Sequence, residues 1–104
     1  MVISRDEALR IAEEFAREIV RVFPDKIKAV FAIGSLGSDY YRPGQSDIDT
    51  AAITNCDRHG AALLEKEIEI IQDRYWKEYD VPKGFGAIVF AEEQLYPPIS
   101  KRKS

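Results

Sequence analysis

Three short apolar runs, at 27–33, 47–54 and 85–90, alternate with two stretches of helical period. For a chain of 104 residues that alternation leaves few folds open. It predicts an α/β (α+β) domain: a small mixed β-sheet with helices packed against it, ordered helix, strand, short helical turn, strand, helix, strand. The length suits one core, so a single domain over 1–104 is expected, with a tail from about residue 97.

The first helix is expected over about Ser4 to Phe23. Ser4 and Glu7 have capping-box spacing, and Ala8, Ala12, Phe15, Ile19 and Phe23 recur as one apolar stripe before Pro24 and Asp25 stop it. Ile27 to Ile33 is apolar enough to be buried on both faces, which predicts a central strand. Gly34 to Gln45 reads as loop, with a short helical turn over Ser35 to Tyr41. Asp47 to Thr54 is the second strand. Asn55 or Asp57 caps a long helix to about Tyr79, with Leu64, Ile68, Ile71 and Tyr75 on one face. Val81 to Gly84 is a loop, Phe85 to Phe90 the third strand, and Glu92 to Tyr96 one further helical turn.

Composition excludes several classes. With 45% apolar and 32% charged residues the chain suits a globular domain, and a net charge of −3 gives it no general attraction for nucleic acid. No apolar run approaches the ~20 residues that span a bilayer, and no signal peptide is read at the start. The single cysteine, Cys56, makes no internal disulfide, which favours a reducing cytoplasm.

Chemistry concentrates in Gly34-Ser35 and, after eleven intervening residues, Asp47-Ile48-Asp49. Alternation along a strand points Asp47 and Asp49 to one face and Ile48 and Thr50 to the other. Two carboxylates about 7 Å apart on one face repel unless a cation lies between them, and hard oxygen ligands select Mg²⁺ or Mn²⁺. Gly34 has no side chain to obstruct a phosphate, while Ser35 offers a hydroxyl and a backbone N–H. The first strand would therefore deliver a triphosphate and the second the metal that bridges it.

This pattern, with Ser46 directly before the Asp pair, resembles the DNA polymerase β-like nucleotidyltransferase superfamily, most closely its minimal nucleotidyltransferases. The resemblance extends to the helix–strand order and covers most of the chain. It implies transfer of a nucleoside monophosphate from an NTP, ATP first, to a hydroxyl acceptor. Asp47 and Asp49 would be the catalytic metal ligands, and Gly34, Ser35 and Ser46 the phosphate-binding residues. It also implies a small helical partner protein of the toxin–antitoxin kind, or a homo-oligomer, with nucleic acid entering only as acceptor.

One part of that family's pattern is missing. A third carboxylate is expected on the next strand, yet Gly84 to Phe90 reads Gly-Phe-Gly-Ala-Ile-Val-Phe. The alternative is thus a catalytically impaired, antitoxin-like binding or regulatory protein; a plain α/β interaction domain is a third reading. Other residues have ordinary explanations beside functional ones. Ser38 and Arg42 serve a turn or touch phosphate; Tyr40 and Tyr41 cover core or stack on a base. His59 reads as surface, Cys56 as a half-buried hydrophobe, Tyr75 and Trp76 as packing residues, and Lys101 to Lys103 as a solvated tail.

Overall fold

Ser4 starts the first helix by accepting the backbone N–H of Glu7 on its hydroxyl at 3.1 Å, and the helix α1 runs Arg5–Val22. The computed structural model describes residues 3–38, 40–81 and 84–95. Three strands follow from the apolar runs: β1 Ile27–Ile33, β2 Ile48–Thr54 and β3 Phe85–Ala91. The second helix, α2, spans Arg58–Tyr79 and is capped by Asp57, whose carboxylate accepts the Gly60 N–H at 2.8 Å. A 3₁₀ turn, Glu92–Leu95, follows β3.

The sheet order is β1-β2-β3, with β1 antiparallel and β3 parallel to β2. The α2 crossover places β3 on one side of β2, and the return from β1 places β1 on the other. Both helices pack on one face. There Ile48, Thr50, Ala52 and Thr54 of β2 are buried, with Phe85, Val89 and Ala91 of β3 beside them. Phe15 of α1 stands at the centre, edge-on to Phe85 at 4.9 Å and to Tyr75 of α2 at 5.4 Å. Such aromatic pairs add about 1 kcal/mol each beyond the area they bury.

Three expectations are corrected. β1 is an edge strand, and β2 is central. β1 is apolar on both faces, as double burial requires, but among the described residues helices cover only one face, so Phe31 on the other is 46% exposed. The stretch after β1 forms hydrogen-bonded turns rather than a helix, with Gly37 N–H donating to Ile33 and Gly34 carbonyls and Ser38 N–H to Ser35. The capping box is half made, because the Glu7 carboxylate pairs with Arg10 at 2.6 Å instead of turning back to Ser4. Tyr96 and the tail from 97, like Pro82 and Lys83 of the loop before β3, lie outside the described residues.

Candidate functional site

Pairing brings the two sequence motifs together. In the antiparallel register Ile33 faces Asp49, so the Gly34-Ser35 turn emerges beside the carboxylate of that aspartate. In the parallel register Asp49 faces Gly86 of β3. A Cβ built on Gly34 would lie 3.1 Å from Asp49 Oδ2, and one on Gly86 would lie 2.6 Å from Asp49 Oδ1. The Asp49 carboxylate therefore lies between a glycine just after β1 and one within β3, at the end of the face that no helix covers among the described residues.

Asp47 sits one residue ahead of β2, not within it, and both acids are half-buried. Burial, then the negative charge of Asp47 and a hydrogen bond to it, raise the Asp49 carboxyl above the ordinary carboxylate range. Neither acid has an ion-pair partner among the described residues. An unneutralised pair of oxygen donors beside an open turn fits a hard divalent cation, and the donor set suits Mg²⁺ or Mn²⁺.

The turn itself depends on glycine. Gly34 has φ +66°, a left-handed conformation that side chains with a Cβ resist. Gly37, which the sequence reading did not single out, packs so closely on β1 that a Cβ would meet the Ala32 carbonyl oxygen at 2.6 Å. The visible signal was only its place, three residues after Gly34. Ser35 is half-buried and its carbonyl accepts the Ser38 hydroxyl at 3.2 Å. Ser46 closes the loop that leads into the acids, its hydroxyl accepting the Arg42 N–H at 2.9 Å. That bond leaves the Ser46 O–H free to donate.

A family model described as "Nucleotidyltransferase domain" matches residues 11–97. The chain belongs to that family. A comparison with curated proteins and one with solved structures found no match. The nucleotidyltransferase domain has no carboxylate where the third was expected, because Gly86 holds the position facing Asp49. Glu92 and Glu93 are no substitutes, since they follow Ala91 at the far end of β3, which faces Thr54. Glu92 pairs there with Lys28 at 3.1 Å, and Glu93 accepts the Arg58 N–H. Asp80 is the exposed left-handed cap of α2.

The other residues sort as their chemistry suggests. Tyr41 is buried and donates its hydroxyl to the Ile3 carbonyl at 3.0 Å, whereas Tyr40 is 78% exposed. His59 and Arg42 are exposed and Cys56 is half-buried. Tyr75 is core, with its hydroxyl on Glu18, while Trp76 donates its indole N–H to the Val81 carbonyl. No helix among the described residues is long and apolar enough to cross a membrane.

Proposed function

We propose that this nucleotidyltransferase domain binds a nucleoside triphosphate, ATP first, with Mg²⁺ and passes its monophosphate to a hydroxyl acceptor in the cytoplasm. The carrying observation is the position of the Asp49 carboxylate against the Gly34 turn. A polyphosphate seated at Gly34 and Ser35 would lie beside the two acids. Asp47 and Asp49 would hold the cation; when bound, it supplies charge neutralisation for the phosphates and the departing pyrophosphate.

The chain's own groups then have separate tasks. Gly34 leaves space for phosphate oxygens, and Ser35 donates its hydroxyl and backbone N–H to them. Ser46 orients the loop ahead of Asp47 and has one proton to offer the same oxygens. β3 contributes no base to take the acceptor's proton, so that group belongs to the acceptor side. By resemblance to minimal nucleotidyltransferases, the domain provides the nucleotide half of a site. A second chain, a small helical partner of the toxin–antitoxin kind by resemblance, supplies the acceptor half.

A second reading rests on Gly86. If nothing replaces the missing carboxylate, the domain binds nucleotide and regulates a partner without transfer. Incubation with labelled ATP, Mg²⁺ and candidate acceptors separates the two. Labelled acceptor that disappears in Asp47→Asn and Asp49→Asn supports transfer. Metal-dependent binding of any of the four NTPs with no labelled product supports the regulatory reading. An unchanged melting temperature under saturating ATP and Mg²⁺ would sink both, since a bound ligand must stabilise the fold.

A further inference from the structure

The two edges of the sheet are treated differently. On β3 the Val89 N–H donates to Glu65 Oε1 at 3.0 Å and the Ala91 N–H to Gln94 Oε1 at 2.7 Å. Side chains thus blunt that edge. On β1, among the described residues, no side chain bonds the backbone of Ala29 to Ala32. The only interruption is the irregularity between Ile27 and Ala29, which leaves a five-residue stretch, Ala29–Ile33, in regular strand geometry. That stretch carries no charge and no proline, the two features that usually protect an edge.

Beneath this edge runs an apolar trough between α1 and β1. One part, about 500 Å³, is lined by Leu9, Ala12, Ala16, Val30 and Ala32. Its continuation, about 430 Å³, is lined by Ala16, Val20 and Val30. A strand added to β1 would form main-chain bonds at the edge and send alternate side chains into the trough, as strand addition requires.

We propose that the occupant is a second copy of this chain, with the two β1 strands antiparallel about a two-fold axis near Val30. Charge complementarity selects it. Asp6 and Arg10 border the trough where it meets Ala32, Arg17 and Arg21 border it at the Val30 end, and Glu13, which lines both parts, is neutralised by Arg17 at 3.4 Å; α1 thus runs antiparallel to β1. A two-fold axis through β1 sets the Asp6 end of one helix against the Arg21 end of the other, twice per dimer. Neither Asp6 nor Arg21 has an ion-pair partner among the described residues. Val20, 43% exposed in the monomer, is covered by the same arrangement. Six strands then form one sheet, with both candidate nucleotide sites on its uncovered face. The proposal is independent of nucleotide transfer.

Sedimentation equilibrium of the full chain tests it, with hydrogen exchange at two protein concentrations. A dimer is expected at roughly 100 µM, with those backbone amides of 29–32 that point away from β2 gaining protection as concentration rises. Ala16→Glu, a change that keeps a good helix former, should yield a folded monomer by circular dichroism. Arg21→Glu should weaken the dimer roughly tenfold, and adding Asp6→Arg should restore it. A monomer at every concentration overturns the proposal. So does a dimer that ignores Ala16→Glu and Arg21→Glu, or edge amides whose protection is independent of concentration.

Discussion

Asp49 and Gly86 compete for one volume: the carboxylate occupies the space that any side chain at Gly86 would need, with a Cβ falling 2.6 Å from Oδ1. The contact is to the tip of a side chain that rotates, so Gly86→Ala should fold while pushing the carboxylate aside. Metal-dependent ATP affinity, measured by titration calorimetry, should fall about tenfold, the worth of one displaced charged contact. Unchanged affinity would remove Asp49 from the binding site.

The same contact bears on building a third carboxylate. Gly86 shares the uncovered face with Asp49, whereas Ala87 faces Thr50 and packs on the core. Gly86→Asp therefore adds a carboxylate on the face of Asp49 but, like Gly86→Ala, displaces that residue, so its transfer is compared with that of Gly86→Ala. Ala87→Asp should instead destabilise by several kcal/mol through a buried charge. Equal stability of the two aspartate variants in urea would contradict this assignment of faces.

Removing the repulsion between the acids should help the metal-free fold. The Asp49 carboxyl titrates above its ordinary 3.8, so the folded state holds a proton that the unfolded chain has released. The contribution of this group to stability is then greatest below 3.8 and is lost as pH rises through the raised native value. Asp49→Asn should flatten that decline and gain less than about 1 kcal/mol near neutrality, because solvent screens a half-exposed pair. Thermal melts across acid pH without metal read this directly, and a wild-type profile as flat as the variant's would refute it.

Two glycines in one turn should respond differently. Gly37→Ala forces a methyl against the Ala32 backbone, which has no rotamer to yield, and should cost about 2 kcal/mol or more. Gly34→Val meets a mobile carboxylate but must adopt φ +66°, costing about 1–2 kcal/mol and abolishing ATP binding. Denaturant midpoints rank the two. A neutral Gly37→Ala would mean that the turn does not pack as described.

At the first helix, Ser4→Ala should cost about 1 kcal/mol, whereas Glu7→Ala should cost a few tenths, since Glu7 contributes only an exposed pair with Arg10. Equal losses would indicate a full reciprocal box in solution.

Much of the molecule follows from spacing along the chain. Ile27–Ile33 emerges with the bounds its composition suggests, and Ser4 and Asp57 cap their helices through local bonds. Alternation alone put Ile48 and Thr50 in the core and Asp49 on the opposite face. These features depend on neighbours within a few residues, where backbone geometry dictates direction. Which strand lies at the centre, and which residues from β1 and β3 flank Asp49, depend on pairing between segments tens of residues apart. Periodicity carries no record of such partners. Tertiary structure decided that β1 is an edge despite its apolar faces, that Gly86 meets the Asp49 carboxylate, and that Gly37 has no room for a side chain.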